Sequence, residues 1–129
     1  MPLLQINTSI LRSRITKEFV QKFLTSLATT MQVPKEALLV HWNPEQMIYL
    51  RGTDEPAAFI SLAAGARLGV EENKKISDTI MSELEKIGVP PTRTYIKFQL
   101  MERSDIGHNK STYDGKILAA DGTPAWQQK

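Results

Sequence analysis

Val33-Pro34-Lys35-Glu36-Ala37-Leu38-Leu39-Val40-His41-Trp42 has a counterpart later in the chain, Val89-Pro90-Pro91-Thr92-Arg93-Thr94-Tyr95-Ile96-Lys97-Phe98, with Pro90 lying 56 positions after Pro34. The same offset sets Leu3-Leu4-Gln5-Ile6 on Phe59-Ile60-Ser61-Leu62. It also sets Val20, Leu24, Ala28 and Met31 on Ile76, Ile80, Leu84 and Ile87, without a gap. Each half therefore reads strand, helix, Val-Pro turn, strand, and an internal repeat of this kind limits the fold sharply. The expected class is α+β. Two βαβ pseudo-repeats form a four-stranded mixed sheet, with two helices on one face because the crossovers are right-handed.

Periodicity fills in the elements. Residues 3–8 alternate as a strand. Residues 17–31 space Phe19, Val20, Phe23, Leu24, Leu27, Ala28 and Met31 as one helical face, with Thr16 as N-cap and Glu18 in the first turn. Pro34 stops that helix. Residues 37–42 predict the second strand, Met47–Leu50 a short edge strand, and residues 57–63 the third main strand. Residues 72–87 predict the second helix, with Gly88 placed for a left-handed cap. Residues 93–99 predict the fourth strand, and a loop with a short edge strand follows near Ile106. Residues 1–113 form one domain, and residues 114–129 are a partly ordered C-terminal extension.

Strand parity tests the two layers. Leu4, Ile6, Val40, Trp42, Ile60, Leu62, Ile96 and Phe98 are all apolar and face the helices. The opposite parity collects Leu3, Gln5, Leu39, His41, Phe59, Ser61, Tyr95 and Lys97. A monomer exposing that face would carry a large apolar patch and unpaired strand edges. Either copies of the chain pack sheet against sheet as a symmetric homo-oligomer, or residues 114–129 cover the face.

Composition bounds function. The chain has 129 residues, 41% of them apolar and 23% charged, with net charge +2. That charge is small and scattered, which argues against nucleic acid as a partner. No apolar run is long enough for a membrane span, and the N-terminus has no signal-peptide pattern. Cysteine is absent, so disulfides and thiolate nucleophiles are excluded. His41 and His108 lack ligand-spaced companions, so no metal site is expected. No phosphate-binding glycine loop is present, and no cofactor is implied.

Several short motifs occur in a telling order. Met1-Pro2 opens onto Ile6-Asn7-Thr8, and Val40-His41 is followed by Asn43-Pro44-Glu45-Gln46-Met47. Then come Gly52-Thr53-Asp54-Glu55-Pro56, Ser61-Leu62, Glu72-Asn73-Lys74-Lys75, Arg93-Thr94-Tyr95-Ile96 and Gly107-His108-Asn109-Lys110-Ser111-Thr112. With the duplicated unit, they make the chain resemble the macrophage migration inhibitory factor and D-dopachrome tautomerase family of the tautomerase superfamily, from Pro2 to about Tyr113. The resemblance implies a homotrimer with three pockets at subunit boundaries.

It also implies that Pro2 becomes the N-terminus once Met1 is removed, and acts as a catalytic base. An α-amino group titrates near ~8 in the open. Burial and nearby cations lower it, leaving a neutral base near working pH. Such a base can take a proton from carbon α to a carbonyl and return it at the other end. This is the family's keto–enol tautomerisation of phenylpyruvate-like aromatic keto acids.

Departures from the family pattern fall in the pocket. Its carboxylate-pairing lysine is Val33 here, and its apolar wall residue is Gly65, beside Ala64. An asparagine is Lys97 and a rim tryptophan is His108, whereas Tyr95 is kept and Ile106 stands for a valine. Lys97 lies two residues from Tyr95 on one strand face. It either supplies the missing cation across a subunit boundary or is a solvated surface lysine. Weak or altered phenylpyruvate or dopachrome tautomerase activity is expected. The family's thiol-redox site falls on Ala57 and Ile60, where no sulfur exists. The resemblance further implies cytokine-like signalling through a cell-surface receptor, with the protein both cytoplasmic and extracellular by leaderless export. A non-catalytic trimeric interaction protein is the competing reading.

Overall fold

The computed structural model describes residues 1–113. The expectations for residues 114–129, as extension or as cover for the sheet, lie outside the described residues. Strand β1 is Leu3–Thr8 and helix α1 is Lys17–Met31. The helix starts where the sequence placed it. The Thr16 hydroxyl accepts a hydrogen bond from the Phe19 N–H at 3.1 Å, and Glu18 occupies the first turn, where the helix dipole favours an anion. Thr16→Ala removes that cap, and we expect a loss of about 1 kcal/mol. Calorimetry should read it as a fall of about 3–6 °C in Tm.

The two halves share their helix ends to the level of single hydrogen bonds. After α1, the Val33 N–H donates to the Ala28 carbonyl at 3.0 Å and the Gln32 N–H to Thr29 at 3.2 Å. Helix α2 spans Val70–Glu85. After it, the Val89 N–H donates to Leu84 at 3.1 Å and the Gly88 N–H to Glu85 at 3.2 Å. Each is a Schellman closure, in which a left-handed residue turns the chain and an apolar residue packs back on the helix. The left-handed residue is Gln32 at φ 57° in the first half and Gly88 at φ 101° in the second. Helix α2 begins at Val70, two residues before the apolar pattern suggested. The Asn73 side-chain oxygen accepts from the Gly69 N–H at 3.2 Å and so caps an earlier start.

Strands β2 (Leu39–Asn43), β3 (Ala58–Ala64) and β4 (Thr94–Leu100) complete a sheet of order β2-β1-β3-β4. β1 runs parallel to β2 and β3 parallel to β4, while β1 and β3 are antiparallel. The sheet is therefore mixed, as expected. The repeat also sets the register: Leu3 lies opposite Leu39, and their counterparts Phe59 and Tyr95 lie opposite each other. Gln5 pairs with Ser61, its own counterpart, so an internal twofold passes between those two residues.

Both helices cover one face. Leu4, Ile6, Ile60 and Leu62 are at most 2% exposed, and Val40, Trp42, Ile96 and Phe98 pack against the same core. The Trp42 ring meets Phe19 and Phe23 edge-on, with centroids 5.7 and 5.1 Å away. The halves diverge between the helices. Phe23 and Leu27 correspond to Thr79 and Glu83, and a polar seam results. The Thr30 and Thr79 hydroxyls lie 2.6 Å apart, and the Ser26 hydroxyl donates to Glu83 at 3.0 Å.

Met47–Leu50 is not a strand. Only a single bridge, Leu50 to Thr53, forms there. The Arg93 guanidinium explains this. It donates to the carbonyls of Leu50, Thr53, Glu55 and Pro56 at 2.9–3.2 Å. Those acceptors are held in a loop and cannot form a ladder. Near Ile106 the expected edge strand is a tiny hairpin, β5 (Gly107–His108) with β6 (Ser111–Thr112). Asn109 and Lys110 form its turn with φ 52° and 63°, as a two-residue type I′ connection requires.

Candidate active site

Pro2 enters the sheet one position ahead of β1. It is buried, and its carbonyl accepts from the Leu39 N–H at 3.1 Å. Because Leu3 lies opposite Ala63, Pro2 comes level with the end of β3. Ala64 is buried there, and its carbonyl accepts from the Met101 N–H at 2.8 Å. Gly65 follows. A methyl group on Gly65 would sit 3.5 Å from Ile106 Cδ1, 3.6 Å from Arg103 Cγ and 3.8 Å from the Met101 carbonyl. The bare glycine is thus the floor of a recess, walled by buried Ile106 and the aliphatic stem of Arg103.

A short turn, Arg103–Asp105, joins β4 to Ile106, and the Ile106 N–H donates back to the Arg103 carbonyl at 3.2 Å. The Tyr113 N–H donates to the Ile106 carbonyl at 3.1 Å. The Tyr113 ring stacks on His108, with centroids 5.7 Å apart. The Tyr113 hydroxyl is buried without a hydrogen-bond partner among the described residues, and burial pushes its phenol pKa up from 10.0.

The amine beside this recess belongs to Met1 in the unprocessed chain. Its pKa is lowered from 8.0, first by burial and then by the Arg103 charge. Both effects disfavour the ammonium form. Removing Met1 moves the amine one residue, about 3.8 Å, inward to the buried Pro2 nitrogen.

The structure brings Pro2, Ala64, Gly65 and Ile106 to one end of the sheet, with His108 joined to them through Tyr113. Val33 is elsewhere employed. It is the apolar residue that closes α1, packed on the core. Tyr95 and Lys97 are exposed on the open face of β4. Lys97 pairs with Ser61 and Tyr95 with Phe59, which lies opposite Asn7. Tyr95 is therefore four positions from the Leu3 level, about 13 Å along the strand. It does not meet Pro2 within one protomer.

Two residues of the recess were not singled out by the sequence. Arg103 and Tyr113 carry no motif spacing, and only the missing side chain at Gly65 hints that something else fills its place. On the open face a shallow concavity is lined by Leu3, Gln5, Leu39, His41, Ser61 and Ala63; Pro2 is not part of it. Among the described residues, no group of three or more His, Asp or Glu side chains could hold a metal.

A duplicated βαβ protomer, its halves joined through antiparallel β1 and β3 in one mixed sheet under two helices, defines the class of fold. The family described as macrophage migration inhibitory factor (MIF) matches residues 1–114, and the chain belongs to it. A macrophage migration inhibitory factor homolog from Trichuris trichiura is 32% identical over 114 residues, covering 88% of this chain and 100% of the relative. The mouse macrophage migration inhibitory factor is 28% identical, covering 88% of this chain and 99% of its own. Among solved structures, that of the macrophage migration inhibitory factor from Trichinella spiralis superposes with a TM-score of 0.79 at 26% identity, covering 85% of this chain and 98% of its own.

Proposed function

We propose that this protein is a cofactor-free keto–enol tautomerase of aromatic 2-oxo acids, with the Pro2 nitrogen as base. The carrying observation is buried Pro2 at the head of β1, one residue inward of the Met1 amine, whose basicity is lowered by burial and then by the Arg103 charge. A neutral secondary amine there takes a proton from the carbon next to the substrate's carbonyl. The electron pair moves onto the carbonyl oxygen, and the ammonium returns the proton to that oxygen. Atoms and charge balance with no external oxidant or metal.

The catalytic unit is a homotrimer. Leu39, Phe59 and Tyr95 are 49–50% exposed on the open face, which a neighbour would cover. Tyr95 of one protomer then reaches the Pro2 end of the next, so each site spans a boundary. Membership of the family supports a cytokine-like role toward a cell-surface receptor, through surface that the trimer leaves exposed. Val33 in place of the family's lysine favours turnover below that of lysine-bearing relatives.

Mass spectrometry of the purified chain together with an assay of phenylpyruvate enolisation tests the reading. We expect a mass lacking Met1 and measurable turnover. Retention of Met1 with undiminished turnover, or a processed chain with none, overturns the base assignment.

A further inference from the structure

Among the described residues, Arg103 is the cation whose stem lies over Gly65 and whose charge acts on the nearby amine. Its Cγ is 3.6 Å from where a side chain would begin. Its carbonyl is tied to the Ile106 N–H, so the turn aims the residue from a fixed base. Among the described residues its guanidinium has no ion-pair or side-chain hydrogen-bond partner, the ion pairs there being Lys74–Glu71 and Lys86–Glu83. The residue is nevertheless partly buried. An arginine held against an apolar wall without a carboxylate is set to receive one, because its planar fork binds carboxylates in a bidentate way.

Val33, where the family pattern has a cation, is apolar and packs on the core. Lys97 is exposed on the open sheet face two positions from Tyr95, at the level of Ser61 in its own protomer, and is the alternative that the test below decides. The glycine at 65 completes the argument. A single methyl there would make ordinary contact with Arg103 Cγ and Ile106 Cδ1; a branched side chain would take the space of the arginine stem.

We propose that Arg103 binds the carboxylate of the substrate and makes this recess selective for anionic 2-oxo acids. This rests on the tautomerase reading above. It assigns the anchor to the turn after β4, in place of both the α1 terminus and a lysine across the boundary. Its charge has a second effect. Charged and titratable groups on the segments around the amine are Lys35 and Glu36 before β2, Arg67 after β3, Glu102, Arg103 and Asp105 after β4, and His108, Lys110 and Tyr113 at the hairpin. Of these, Arg103 is the charge that, after burial, lowers the basicity of the Met1 amine. The same charge, acting one residue inward, also favours the neutral form of the Pro2 nitrogen. Removing it raises the amine's pKa, so the acid limb of the kcat/KM profile moves to higher pH.

The test compares phenylpyruvate with its uncharged methyl ester in the processed trimer, for wild type, Arg103→Ala, Arg103→Lys and Lys97→Ala. Circular dichroism and light scattering establish that each variant is folded and assembled. For Arg103→Ala we expect KM for the acid to rise about 10- to 100-fold, with KM for the ester unaffected and the acid limb displaced upward for both substrates. Arg103→Lys should recover part of the loss, and Lys97→Ala should leave KM unchanged. Direct binding of phenylpyruvate by calorimetry separates this proposal from the base assignment. If wild type binds the acid, Arg103→Ala does not, and neither turns it over, the anchor stands and the base reading falls. If wild type turns over and Arg103→Ala keeps the same KM and affinity for the acid, the anchor falls and the base stands. Loss of acid affinity in Lys97→Ala alone moves the anchor to the neighbouring protomer's strand and overturns the proposal.

Discussion

An alanine inserted between Met1 and Pro2 should lower kcat/KM for phenylpyruvate enolisation by about 10²- to 10⁴-fold, the usual contribution of a positioned general base. The insertion leaves fold and assembly alone, because Pro2 precedes β1 and contributes only its carbonyl to Leu39. It changes one chemical fact: the Pro2 nitrogen becomes a tertiary amide, which accepts no proton near neutral pH. Processing of the inserted chain exposes a primary amine on alanine, about 3.8 Å outward along the chain. A displacement of that size from the reacting carbon is costly, since proton transfer needs contact at hydrogen-bond distance.

The pH profile of the unmodified chain carries the same argument with its sign. The base is active when neutral. Burial and then the Arg103 charge lower the basicity of the Met1 amine, and the same surroundings act on the Pro2 nitrogen one residue inward, so kcat/KM should rise with pH as that nitrogen loses its proton and then level off. Full turnover of the inserted variant, measured beside a mass confirming the extra residue, would remove Pro2 from the mechanism.

Most of the scaffold could be read from residues. The gapless repeat foretold paired elements, and the structure adds paired registers, with Leu3 opposite Leu39 and Phe59 opposite Tyr95. The Val-Pro turns were legible because proline stops a helix and an apolar residue before it closes one. Gln32 was not, since its left-handed conformation at φ 57° is only visible once Gly88 is seen to do the same job in the other half.

Met47–Leu50 misled because its apolar residues satisfy a strand pattern. Met47 and Tyr49 instead point to solvent, 90% and 65% exposed, while a distant arginine collects the carbonyls around Leu50. That long-range side-chain bond has no local signature. The candidate site divides in the same way. Pro2, Gly65 and Ile106 come together at the end of the sheet where Leu3 pairs with Ala63. Arg103 escapes notice because its role follows from an absent side chain 38 positions earlier, and no spacing rule links the two.

Assembly is the second large effect. Leu3 and Leu39 occupy the Pro2 end of the open face, and Phe59 and Tyr95 the far end. A twofold contact and a head-to-tail contact can each set one apolar end against the other, and the trimer proposed above requires the second. In that proposed trimer, head-to-tail packing would join the far end of one copy to the near end of the next, with a rotation between copies that closes the ring. Three copies then bring three Tyr95 side chains to three Pro2 sites. Leu39→Glu places a carboxylate in the centre of that contact without touching the core, since Leu39 is 49% exposed in the single protomer. An unpaired buried charge costs several kcal/mol, enough to dissociate the ring at micromolar concentration. Light scattering should therefore report one protomer mass, and kcat/KM should fall about tenfold or more, because the tyrosine wall departs while Pro2 stays. Phe59→Glu, at the other end of the same contact, should give the same result. A variant that is monomeric by scattering and fully active would confine the site to one chain and leave Tyr95 outside it.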